Sequence, residues 1–117
     1  MIRGKHILVV EDEPLVAMLL EDMLTDMGAH VAGPECAFDA AMARAEADSL
    51  DAAVLNVNLS GQKSFAVADI LRKRGIPYAF ATGYGRSGLE PGHENVPVLV
   101  KPYTAADVEQ TLTALLG

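Results

Sequence analysis

His6-Ile7-Leu8-Val9-Val10-Glu11-Asp12-Glu13-Pro14 is the stretch on which the reading of this chain turns. A short run rich in branched apolar residues reads as a strand. It runs straight into three carboxylates and then into Pro14, a residue that suits a first helical position. Behind it Leu15, Leu19, Met23 and Met27 recur at a spacing of four, and Val16, Leu20 and Leu24 widen the same stripe. That periodicity predicts a helix, closed by Gly28 as a left-handed cap. A strand feeding a helix through an acidic turn is one βα unit.

The same unit repeats outward from there. A short strand is expected over 30–33, an alanine-rich helix over 37–47, and a strand over 52–57. Five of the six residues in that third strand are apolar, as in a strand buried on both faces of a parallel sheet. A third helix is expected over 64–74, with Val67, Ile70 and Leu71 on one face and Gly75 behind it. Strands follow over 77–82 and 96–100. The last helix opens on Thr104-x-x-Asp107, a capping-box-like start, and would bury Val108, Leu112 and Leu115. A parallel neighbour needs a crossover, so a fourth helix belongs between the last two strands. Residues 83–95 hold four glycines and one proline, so that helix is expected to be short or disordered. Strands alternating with helices give an α/β fold, a doubly wound five-stranded parallel sheet.

Composition narrows the function. The 117 residues make one domain, and half of them are apolar, enough for a core. Nine basic against sixteen acidic residues give a net charge of −7, the wrong sign for an unaided nucleic-acid binder. A single cysteine, Cys36, excludes an internal disulfide and a multi-cysteine zinc site. No apolar stretch nears the ~20 residues that span a bilayer. Carboxylates follow the N-terminus too closely for a signal peptide. The expectation is a soluble, cytoplasmic domain that binds neither nucleic acid nor membrane.

Doubly wound sheets place ligands beyond the carboxyl ends of their strands. Glu11 and Asp12 follow the first strand, Asn56 and Asn58 the third, Thr82 the fourth and Lys101 the fifth. Paired carboxylates with an oxygen nearby suit a hard cation such as Mg²⁺. A lysine and a threonine hydroxyl can each hold a phosphoryl oxygen. These are parts for phosphoryl transfer by positioning and charge neutralisation. Each residue also has a plainer reading: an acidic helix cap, a turn asparagine, a strand-end hydroxyl, a surface lysine. Their placement together at matching strand ends decides against those readings. The acceptor carboxylate is missing, because the third strand ends on Asn56.

At this point the sequence resembles the response-regulator receiver domains of bacterial two-component signalling. The resemblance rests on Val9-Val10-Glu11-Asp12-Glu13-Pro14, on the segment 51–59 around Asn56-Val57-Asn58, on Phe80-Ala81-Thr82-Gly83-Tyr84-Gly85 and on Val98-Leu99-Val100-Lys101-Pro102-Tyr103. The third of these is like a subgroup of single-domain receivers. The resemblance implies a flavodoxin-like sheet of order 2-1-3-4-5. It also implies Mg²⁺ held by Glu11, Asp12 and the backbone carbonyl of Asn58, with Asn56 at the phosphoacceptor position offering a neutral oxygen. Thr82 and Lys101 would contact the phosphoryl group, and Lys101-Pro102 would carry a cis bond. Residues 1–117 would be a receiver with no effector domain, a monomer or weak dimer that signals by docking and is not a conventional enzyme. Its partners would be a histidine kinase or phosphotransfer protein and a downstream protein target.

Two residues depart from that pattern. Asn56 stands where the family has aspartate, and a carboxamide cannot form an acyl phosphate. The substitution removes one negative charge, so it should relieve repulsion and weaken Mg²⁺. Because the rest of the pocket keeps the family pattern, Asn56 is read either as an engineered block or as a recent natural loss. Val98 replaces a frequent aromatic residue, which makes Tyr84 and the glycines after it the expected moving parts. The alternative function is a phosphorylation-independent pseudo-receiver that acts as an interaction module. A flavin or nucleotide site is disfavoured, because carboxylates rather than glycines follow the first strand. Lys63, Arg72, Lys73 and Arg74 read as a solvated basic face, Tyr103 as a core aromatic, and His6, His30 and His93 as scattered residues without metal-ligand spacing.

Overall fold

The computed structural model describes residues 2–59, 61–84, 89, 92, 93 and 95–117. The chain runs β1 (His6–Val10), α1 (Pro14–Asp26), β2 (His30–Glu35), α2 (Phe38–Ala47), β3 (Ala52–Asn56), β4 (Asn58–Leu59), β5 (Gln62–Lys63), α3 (Phe65–Lys73), β6 (Tyr78–Thr82), β7 (Val98–Val100) and α4 (Ala105–Leu116). Five strands form one parallel sheet in the order β2-β1-β3-β6-β7. Numbering only those five gives the expected 2-1-3-4-5. β4 and β5 form a separate two-residue antiparallel ladder.

β3 is buried along its whole length because helices cover both sides of the sheet. Ala53 and Leu55 join Leu8, Val10 and Phe80 in a core with α2 and α3. Ala52 and Val54 join Ile7, Val9 and Leu99 in a second core with Leu20 and Leu24 of α1 and Val108 and Leu112 of α4. The period-two alternation of a strand thus serves two cores, and each fully buried Leu, Val or Phe contributes roughly 1.5–3 kcal/mol. α4 opens on the capping box, with Asp107 donating its backbone N–H to Thr104 Oγ1 while Thr104 donates to Asp107 Oδ2. No helix among the described residues is long and apolar enough to cross a membrane.

Two expectations change. The spacing-four row of α1 does not face one core: Leu15 is 64% and Leu19 49% exposed, while Ala17, Leu20 and Leu24 are buried. Four residues turn a helix by about 400°, so such a row drifts by about 40° a step and leaves the buried face. β2 extends to Glu35 through Gly33, whose φ is +95° and where an added Cβ would lie 2.7 Å from the Glu35 backbone nitrogen. A left-handed φ at a close backbone approach is a place for glycine. The fourth crossover helix expected over 83–95 falls mostly outside the described residues.

Candidate functional site

Parallel pairing brings the candidate residues to one rim. Val10 pairs with Leu55, Asn56 with Ala81, and Thr82 with Val100. The residues at or just beyond those pairs, Glu11, Asp12, Asn56, Thr82 and Lys101, therefore leave the sheet at its carboxyl edge together. Asp12, Asn56, Asn58, Thr82 and Lys101 line one cleft of about 320 Å³. Glu11 lies beneath it, 3% exposed.

The bonding within this group is specific. Lys101 Nζ donates to both Glu11 carboxylate oxygens at 3.0 Å and sits 3.8 Å from Glu13 Oε1. Asn56 Nδ2 donates to Asp12 Oδ1 at 3.1 Å and to the Asn58 carbonyl at 2.5 Å. The resemblance implies a carboxamide that offers its oxygen to a cation. In this structure its nitrogen faces the two oxygens expected to hold one. Thr82 Oγ1 accepts the Tyr84 N–H at 3.1 Å, which fixes the hydroxyl at the strand end, while the Tyr84 side chain is 74% exposed.

Charge and burial oppose each other at Glu11. Burial pushes its carboxyl above the ordinary value, and the Lys101 ammonium pulls it back. Tyr103, whose ring packs against the α1–α4 core, is pushed up to about 12, first by burial and then by the Glu11 charge. Its hydroxyl has no hydrogen-bond partner among the described residues. Glu11, Asp12 and Glu13 can each bring one carboxylate oxygen within 4.8 Å of the others, a spacing compatible with one cation. The Lys101-Pro102 bond is cis.

Other residues were read incompletely. Lys63 donates to Asn58 Oδ1 at 2.6 Å across the β4–β5 ladder, which steadies the segment carrying the Asn58 carbonyl. The Asn58-x-x-Gly61 spacing was the turn signal that could have shown this hairpin, and Gly61 has φ +90°. Arg72 and Arg74 are not merely solvated. Arg72 donates to Tyr78 and to the Gly92 carbonyl, and it meets His93 Nδ1 at 2.9 Å; Arg74 donates to the Ala45 carbonyl. His93 is buried against Phe65 and Phe80. His6 and His30, read as scattered, are stacked on each other. The residues following Tyr84, expected to move, lie outside the described residues from 85 to 88.

No protein-family model matches the sequence. A curated relative, the transcriptional regulatory protein TcrA of Mycobacterium tuberculosis, is 33% identical over 121 residues, covering 97% of this chain. The chain spans about half the length (47%) of that relative. SdrG of Sphingomonas melonis Fr1 superposes with a TM-score of 0.86 at 43% identity, covering 97% of this chain and 98% of SdrG. SdrG is also known in a BeF3-activated conformation, with a TM-score of 0.82. The receiver domain of the sensor histidine kinase PA1611 of Pseudomonas aeruginosa, solved with magnesium coordinated in its active-site cleft, shares the fold. Its TM-score is 0.81 at 23% identity, covering 97% of this chain and 98% of that domain. Other response-regulator receivers superpose equally well. With a relative 43% identical over nearly its full length and receivers throughout its structural neighbourhood, the chain belongs to the response-regulator receiver domains.

Proposed function

We propose that this domain is a cytoplasmic phosphorelay receiver whose phosphoacceptor position is occupied by Asn56, so that it cannot be phosphorylated as it stands. The observation that carries the reading is the Asn56 amide bonded to Asp12 and Asn58 in the cleft that Thr82 and Lys101 also line. An aspartate there would attack the phosphorus of a phosphohistidine through a carboxylate oxygen. The P–N bond would break and the acyl phosphate would form. The amide nitrogen's lone pair is delocalised and its oxygen is a poor nucleophile, so Asn56 has no equivalent step. Thr82 and Lys101 would hold phosphoryl oxygens as a hydroxyl donor and a point charge.

The residues fit Mg²⁺. Asp12 Oδ1 and the Asn58 carbonyl already converge on one atom, Asn56 Nδ2, and reversing the amide would present a third oxygen, with water completing an octahedron. When bound, the ion would neutralise phosphoryl charge. Glu11 would join that set only by yielding an oxygen now bonded to Lys101. The BeF3-activated form of SdrG supports a fold that responds to a phosphoryl-like anion in a close relative. Partners would be a histidine kinase or phosphotransfer protein and a downstream protein, the latter docking on β7 and the exposed side of α4; the remainder of the expected docking surface, 85–95, lies mostly outside the described residues.

A second reading, the phosphorylation-independent interaction module, is favoured by one feature. Asn56 and Lys101 already satisfy Asp12, the Asn58 carbonyl and Glu11 without any ion. The two readings separate on treatment with acetyl phosphate and Mg²⁺. The receiver reading expects a mass gain of ~80 Da, one phosphoryl group, in Asn56→Asp and none in the parent. No gain in either protein would favour the interaction module.

A further inference from the structure

The carboxylate pocket occupies one rim of the sheet, and the opposite rim holds a second group of metal-ligating side chains. His6 and His30 begin β1 and β2 and are register partners. Their rings stack with centroids 5.0 Å apart and planes 26° from parallel. Asp51, just before β3, flanks His6 on its other side: its Oδ2 accepts the His6 backbone N–H at 2.8 Å and lies 3.8 Å from His6 Nδ1. His30, His6 and Asp51 thus stand in a row across three adjacent strands. Both histidines are exposed.

We propose that His6 and His30 form a two-imidazole site for a borderline divalent transition-metal ion of the Zn²⁺, Ni²⁺ or Cu²⁺ type, with Asp51 as a positioning residue. Three features support it. The backbone under both rings is tied down, since His6 N–H bonds Asp51, Asp51 N–H bonds the His6 carbonyl, and His30 N–H bonds the Lys5 carbonyl. Chelation therefore requires only side-chain torsions. The imidazole χ2 torsion is broad, so the stacked rings can turn one nitrogen each toward a shared ion. Asp51 Oδ2 lies 3.8 Å from His6 Nδ1, close enough for a side-chain torsion to make that nitrogen its donor, which would orient the ring and leave Nε2 as the ligand atom. Water would complete the coordination.

Donor chemistry keeps this site apart from the carboxylate pocket. Imidazole nitrogen selects Zn²⁺, Ni²⁺ and Cu²⁺, whereas the oxygen set at Asp12 and Asn58 suits Mg²⁺. The six residue steps from His6 to Asp12, at ~3.3 Å each, put the two sites on the order of 20 Å apart.

The test is a Zn²⁺ titration of the full chain followed by the histidine ring signals in NMR, with excess Mg²⁺ present to occupy oxygen sites. The His6 and His30 rings are expected to shift together and saturate at one ion per chain, while His93 stays unchanged. His6→Ala should abolish the shift of His30, and His30→Ala that of His6. Asp51→Asn should weaken binding on the order of tenfold while both rings still respond. The proposal is overturned if the two rings shift independently, if neither shifts by millimolar Zn²⁺, or if either single histidine variant binds as tightly as the parent.

Discussion

Lys101 shows how much of this protein's behaviour sits in single side chains. It is the counter-charge to Glu11, a carboxylate beneath the cleft with its side chain 2% exposed. Removing one member of such a pair leaves an uncompensated buried charge, which costs on the order of 3 kcal/mol. Lys101→Ala is therefore expected to lower the denaturation midpoint clearly, and adding Glu11→Gln to that variant should recover much of the loss. A double-mutant cycle by chemical denaturation checks this; independent, additive effects would contradict the pairing. Tyr103 offers a pH signature. Its folded-state value of about 12 lies above the ordinary tyrosine value near 10. The folded state thus holds that proton more tightly, so the stability linked to Tyr103 is complete below about pH 10 and is lost as pH rises toward 12. Phenolate absorbance should show a late-titrating tyrosine that vanishes in Tyr103→Phe, and the alkaline loss of stability should shrink with it.

Among the elements, α1 separates pattern from burial most clearly. Its apolar residues cover more than one face: Leu20 and Leu24 enter the core, while Leu15, Met18 and Leu19 remain exposed. Leu24→Ala is expected to cost roughly 2–5 kcal/mol, and Leu15→Ala to stay within about 0.5 kcal/mol. Denaturant midpoints compare the two; similar costs would refute the packing described. The other elements were more legible. β3 announced itself by five apolar residues in six, because a doubly covered strand tolerates that composition. The start of α4 was legible in Thr104 and Asp107, because capping is a local bond between near neighbours. The β4–β5 ladder was legible only through its turn, at Asn58 and Gly61, since two residues a side carry no hydrophobic period.

For the molecule as a whole, ion binding and folding should be linked through Asn56. In the parent, Asn56 Nδ2 stands 3.1 Å from Asp12 Oδ1 and 2.5 Å from the Asn58 carbonyl. Asn56→Asp would replace that donor with a second carboxylate, and like charges so close cost about 4–5 kcal/mol at an effective dielectric of ~20 before relaxation. Without Mg²⁺ the variant should melt below the parent. Adding Mg²⁺ at a hundredfold excess over its dissociation constant should return about 2.7 kcal/mol, while the parent should respond much less. Melting curves with Mg²⁺ and with chelator check the expectation, and equal Mg²⁺ responses would sink it.

What the sequence determined by itself was whatever depends on short-range pattern. This covers the alternation of strands and helices, the doubly covered central strand, and the list of polar residues at strand ends. Spacing along the chain encodes those features directly. What only tertiary structure decided was partnership across the sheet. Glu11 and Lys101 are ninety positions apart, and Asn56 and Asp12 forty-four. Which of the cleft's acceptors Asn56 and Lys101 would take is set by how β1, β3 and β7 align at their ends. His6 and His30 were likewise distant residues until register placed them opposite each other. Such pairings depend on strand order and register, and no local spacing records either.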